Sequence, residues 1–148
     1  TMDAVRARAA ALPRRPRVYF EEWDEPPISA VGWVSELVAI AGGEDVFAER
    51  ACHPGAAQRI LADPLEAARA KPDIVVGSWC GKRFRPERVA ERPGWEAVPA
   101  VRDGELHEVK SALILAPGPV AIREGLPALA EIIARWARRA FDGYSAAR

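Results

Sequence analysis

The run Ile74-Val75-Val76-Gly77, entered through Lys71-Pro72-Asp73, constrains this chain more than any other segment. It is short, continuously apolar and β-branched, and offers no polar face to water. Such a strand fits the middle of a parallel sheet covered on both faces. Residues 17–21 (RVYFE) read as a second buried strand, and residues 22–27 as the loop that leaves it. Residues 31–41 place Val34, Leu37, Val38 and Ala41 at helical spacing, and Gly42-Gly43 stops that helix. Asp63 as N-cap and Pro64 at the first helical position open a helix reaching about residue 70. Pro86 opens another, closed by Arg92-Pro93-Gly94. Residues 97–101 and 105–109 read as two strands around the turn Arg102-Asp103-Gly104. Residues 111–119 read as a loop. A long helix is expected over 120–141, with a kink or break near Gly125 imposed by Pro127, and a frayed tail over 142–148. Residues 3–12 form a helix without a convincing cap, ended by Pro13. Strands alternating with helices predict an α/β, three-layer, doubly wound fold with a largely parallel, Rossmann-like sheet.

A chain of 148 residues is one domain by length. Lys+Arg and Asp+Glu both count 21, so there is no basic excess to suggest a nucleic-acid partner. Cys52 and Cys80 lack CxxC spacing and make no disulfide framework. Residues 1–15 lack the apolar stretch of a signal peptide.

In an open α/β sheet, ligands bind outside the carboxyl ends of the strands. The loops expected there are 22–27, 78–85 and 111–119, and they carry Trp23, Trp79, Cys80, Lys82 and Arg83. A loop needs no large apolar side chain for itself, so two tryptophans there suggest a face for a large, flat or apolar ligand. Each can equally fold back to close the core. Trp33 and Trp136 read as core, and Trp95 as the plug of a turn. Catalytic constellations are weak. His53 and His107 have no nucleophile or carboxylate at a motif spacing, and a metal site from Cys52, His53, Cys80 and His107 is only a minor alternative. Glu21, Glu22 and Glu25 surround a strand end, where solvated loop acids are the commoner explanation. No dinucleotide or phosphate-loop motif occurs.

Taken in order, several segments suggest a family. Val18-Tyr19-Phe20-Glu21-Glu22-Trp23-Asp24-Glu25-Pro26-Pro27, Gly32-Trp33-Val34-Ser35-Glu36-Leu37 and Ala41-Gly42-Gly43-Glu44-Asp45-Val46-Phe47 resemble the second lobe of cobalamin-type solute-binding proteins. Asp63-Pro64-Leu65-Glu66-Ala67, the Pro72-Asp73 strand, Ser78-Trp79-Cys80-Gly81-Lys82 and Leu115-Ala116-Pro117-Gly118-Pro119 continue the pattern. The resemblance spans about residues 17–136. It implies two α/β lobes joined by a long helix, with the ligand between them. Residues 1–13 would end the connecting helix, 14–141 form the C-terminal lobe and 142–148 its tail, and the N-terminal lobe would lie outside this sequence. It further implies a periplasmic or cell-surface-anchored protein with no intrinsic cofactor and no catalytic residues. Its ligand would be cobalamin or an iron chelate, contacted by Trp23, Glu25, Trp79, Cys80, Lys82, Arg83 and Pro117. Glu66 would dock on the membrane permease of an ABC importer, although the commoner family pattern has its glutamate where Leu65 stands. An isolated lobe would expose its cleft or hinge helix and could dimerise through them. The competing readings are a small α/β enzyme using the acid cluster or Cys80, and a free-standing interaction domain.

Overall fold

The computed structural model describes residues 2–146. In chain order its elements are α1 (Met2–Ala10), β1 (Arg17–Asp24), β2 (Pro27–Ser29), α2 (Gly32–Ile40), β3 (Glu44–Asp45), α3 (Glu66–Arg69), β4 (Ile74–Gly77), α4 (Pro86–Ala90), α5 (Pro99–Arg102), β5 (Leu106–Glu108), α6 (Ser111–Ile114) and α7 (Leu126–Ala146). Short 3-10 turns fill Arg50–Cys52 and Ala56–Arg59, and a π-helical turn, Ala121–Gly125, leads into α7.

The sheet runs β2-β1-β4-β5, and β3 pairs with the first residues of β1 on the side where β2 pairs with its last. All pairings are parallel except β1 with β2. Val18 stands beside Ile74 and Glu21 beside Gly77, so β4 ends level with Glu21 while β1 runs on to Asp24. Asp73 locks that register: its backbone N–H donates to the Arg17 carbonyl at 2.8 Å, and its carboxylate accepts from the Arg17 N–H at 2.8 Å.

Successive strand residues point to opposite faces, and two cores follow. Val18, Phe20, Ile74 and Val76 pack with Val34, Val38, Leu126, Leu129 and Ile133 under α2 and α7. Tyr19 and Val75 pack with Phe47, Trp79, Phe84, Val89 and Trp95 under the short helices of the other face. The expected three-layer α/β architecture is therefore present. Gly42 ends α2 at φ +102°, and a side chain there would meet Ala9 and Leu12 of the α1 segment.

The structure differs from the sequence reading in five places. The loop expected at 22–27 is partly strand: β1 continues to Asp24 and turns back antiparallel as β2. Residues 97–101 are not a strand. Pro99, with no N–H for a ladder and φ preset for a helix, instead starts the single turn α5. Residues 111–119 hold the helical turn α6. The Asp63-Pro64 helix is confined to α3, because Asp63 caps Leu65 N–H (2.9 Å) across a preceding turn. The long helix continues through Ala146 where fraying was expected from Asp142, and residues 147–148 lie outside the described residues. The break expected near Gly125 is the π turn, with Pro127 tolerated in the first turn of α7.

Gly77 closes β4 with the Phe84 ring lying on its backbone, so a Cβ there would overlap the ring. Gly77→Ala should lower unfolding free energy by roughly 1–3 kcal/mol through overpacking, measurable by urea denaturation.

Candidate functional site

The end of β1 sends consecutive acids to opposite sides of the sheet. Glu21 enters the second core with no exposure. Its carboxylate accepts two parallel hydrogen bonds from Arg92 (2.7 and 2.8 Å), one from the Trp79 indole (3.0 Å) and one from the Tyr19 hydroxyl (2.6 Å). Bidentate geometry and full hydrogen bonding are what a buried charge pair requires. Burial disfavours charge on Arg92, but the hydrogen bonds and charge of Glu21 outweigh it and its pKa is raised. Burial, helped by the Glu21 charge, pushes the Tyr19 phenol well above its ordinary value of 10.0.

Glu22 points the other way. It accepts from the Val31 N–H (3.1 Å) at the start of α2 and from Arg59 (2.7 Å). Arg59 is 4% exposed and also donates to the Ser29 carbonyl at 2.6 Å. This set ties β2, the Ala56–Arg59 turn and the entry to α2 into one wall. Trp23 is half-buried, and its indole donates to the Glu25 carbonyl at 2.9 Å. The Lys82 ammonium lies 4.3 Å from the Trp23 ring centre, 5.1 Å from that of Trp79 and 2.6 Å from the buried Asp24 carboxylate. A cation between two rings and an acid joins the loop after β4 to the end of β1.

Two hollows open along the strand ends. The first, about 380 Å³, is lined by Trp23, Ile28, Val31, Trp33, Cys80 and Leu115, with Glu22, Pro54 and Arg59. The second, about 800 Å³, lies between the ends of β4 and β5 and is lined by Ser78, Trp79, Lys82, Arg83, Glu108, Lys110 and their neighbours. A third, about 780 Å³, sits on the flank between Glu25-Pro26-Pro27, Leu65 and Trp95.

The structure thus brings Trp23 and Cys80 to the first hollow, and Lys82 and Arg83 to the second. Trp79 is 3% exposed. It closes the core instead of offering a ring to a ligand, because its indole N–H is committed to Glu21 and its ring packs edge-on to Phe84 at 4.9 Å. Glu25 is exposed and faces the flank, 3.6 Å from Arg88. Pro117 is exposed beyond the first hollow. Glu66 is ion-paired to Arg50.

Glu21, Glu22 and Glu25 each face a different arginine and share no site. Among the described residues, no group of three or more His, Cys, Asp or Glu could hold a metal ion. His107 bonds Glu105 at 2.7 Å, and the Cys52 thiol donates to the Glu49 carbonyl at 3.0 Å.

Of the first hollow's lining only Trp23 and Cys80 were expected as ligand contacts; Ile28, Val31, Leu115, Trp33 and Arg59 were not. Trp33, expected in the core, does pack against it but also lines this hollow, half-buried, and donates to the Ile114 carbonyl at 3.0 Å. It stands in the first turn of α2, directly after the strand ends, and that placement was the available signal. Arg59 lies in a stretch without periodicity and carried none.

Arg92→Ala should cost roughly 3–5 kcal/mol, because it strands a buried carboxylate. Glu21→Gln combined with Arg92→Met should recover part of that loss, again by urea denaturation. The unfolded Tyr19 phenol loses its proton above about pH 10 while the folded one keeps it. The unfolded state then binds fewer protons, so stability should fall as pH rises past that value, and less steeply in Tyr19→Phe.

A sequence profile described as periplasmic binding protein matches residues 1–113. No curated protein matches. Among solved structures, the periplasmic heme-binding protein RhuT from Roseiflexus sp. RS-1 is 19% identical with a TM-score of 0.72, over 92% of this chain and 52% of that one. The periplasmic vitamin B12 binding protein BtuF of Vibrio cholerae is 17% identical with a TM-score of 0.64, over 94% and 50%. IsdE of S. aureus, complexed with heme, is 17% identical with a TM-score of 0.64, over 89% and 52%. The chain therefore spans about half the length of the structures it matches. At these identities the likeness is one of fold.

Proposed function

Because the chain belongs to the periplasmic binding protein family, we propose that it acts as the C-terminal, ligand-closing lobe of the solute-binding component of an ABC importer. The protein would work in the periplasm or at the cell surface. The ligand is a large, flat, partly apolar compound, for which cobalamin or a related corrinoid is the first reading. The observation that carries this is the first hollow. Trp23, Trp33, Ile28, Val31 and Leu115 present aromatic and aliphatic surface on the carboxyl edge of the sheet, where the fold offers ligands a face. Trp23 and Trp33 are anchored by indole hydrogen bonds, so little side-chain freedom is lost when a ligand covers them. A hollow of about 380 Å³ holds part of such a ligand, and a second lobe would supply the opposite wall.

Haem or a ferric siderophore is the second reading. It is favoured by the heme-binding structures among the fold neighbours. Binding needs no nucleophile, and the acids around the β1 end, Glu21, Glu22, Asp24 and Glu25, are each taken up by an arginine or a lysine. The missing wall and the permease are the partners this reading requires, with Glu66 on α3 as the candidate docking acid. Glu66 would have to leave Arg50 to pair with a permease arginine.

The two-lobe protein should show quenched tryptophan fluorescence on titration with cyanocobalamin, hemin or a ferric siderophore. No response to any of the three would overturn the reading. Trp23→Ala should weaken the responding ligand about tenfold, or roughly 1.4 kcal/mol.

A further inference from the structure

The second hollow differs in chemistry from the first. Three cations line it, Lys82, Arg83 and Lys110, against one carboxylate, Glu108. Glu108 is partly engaged already, accepting the Phe84 N–H at 3.1 Å. Of the three cations, only Lys82 is ion-paired among the described residues, with Asp24. Arg83 and Lys110 are exposed and stand on separate loops, one after β4 and one after β5. The Val109 N–H donates to the Gly77 carbonyl at 3.1 Å, which holds the two loops side by side. Ser78, between them, is fully buried, and its hydroxyl has no hydrogen-bond partner although it lines the hollow. A buried hydroxyl without a partner loses free energy that a polar ligand atom would restore.

We infer that this hollow is an anion subsite, which takes a carboxylate or phosphate group carried by the ligand that covers the neighbouring aromatic hollow. That last clause rests on the reading given under Proposed function. Arg83 and Lys110 would supply charge-assisted hydrogen bonds from two sides, and the Ser78 hydroxyl would donate from the floor. Lys82 connects the two hollows. Its ammonium rests on the Trp23 ring of the first and lines the second. The ligand class is therefore an apolar, planar body with at least one acidic side group.

The test uses the two-lobe protein and its Arg83→Gln/Lys110→Gln variant, both changed side chains being exposed. Backbone amide NMR shifts would be followed during titration with glutarate and, separately, with inorganic phosphate. Shifts confined to Ser78, Gly81 and Ser111, abolished in the double variant, are expected. A response to glutarate alone assigns a carboxylate, and one to phosphate alone a phosphate ester. No shift with either anion, or shifts that survive the double variant, would overturn the subsite. In parallel, the double variant should weaken the ring compound that quenches fluorescence at least about tenfold. If that compound is hemin, its dimethyl ester should bind both proteins alike. Unchanged affinity in the double variant would overturn the link between the two hollows. If no ring compound quenches, the functional reading fails, and the anion titrations still decide the subsite.

Discussion

A carboxylate with no exposure, placed where the central strand β1 passes the end of β4, has to find all of its hydrogen bonds inside the protein. Glu21 finds them in Tyr19 on its own strand and in two segments distant in sequence, Trp79 after β4 and Arg92 after α4. The packing of the second face follows from that demand. Trp79 is drawn down onto Glu21, Phe84 packs against Trp79 over the bare backbone of Gly77, and Arg92 lies 5.0 Å from the Trp95 ring that fills the same layer. Breaking one partner of such a set costs far more than the set contributes over an apolar replacement. Its value here is positional, since it fixes where the loop 78–85 emerges.

That loop is what the two hollows share. With Trp79 held below, Cys80 turns toward Trp23, Trp33 and Leu115, and Lys82 and Arg83 turn toward the end of β5. Lys82 then spans the gap by sitting between the Trp23 and Trp79 rings. On the other side of β1, Glu22 and Arg59 do the same for β2 and α2, and so place Trp33. Buried Glu21, Asp24, Arg59 and Glu105 each have an opposite charge in contact, while Arg83 and Lys110 stand at the strand ends without one among the described residues. This division is what a binding lobe needs: a rigid support below, and unspent aromatic and basic groups at the rim.

Much of the fold was legible because its signals are local. The apolar run at Ile74 announces a central strand whatever its neighbours are. The spacing of Val34, Leu37 and Val38 announces a helix, and Pro127 announces the break that becomes the π turn. The errors fall where a local signal was ambiguous. Pro99 sits in a run of small apolar residues that suits either a strand or a helical turn, and its missing N–H decided for the turn.

The candidate site was legible only as residue types. Aromatic and basic side chains on strand-end loops pointed to binding over catalysis, and Trp23, Cys80, Lys82 and Arg83 do line the hollows. Which tryptophan would face outward was not in the sequence, which left both readings open for Trp23 and Trp79 and placed Trp33 in the core. Trp79 is buried because Glu21, fifty-eight residues earlier, needs its N–H, and Trp33 keeps one edge open to the first hollow because α2 begins at the sheet edge. The sequence by itself determined the α/β layering and the chemical character of the strand-end loops, since both follow from local periodicity and composition. The tertiary structure alone decided which side chains are spent on satisfying buried charge and which remain for a ligand, because that depends on partners that only the folded chain brings together.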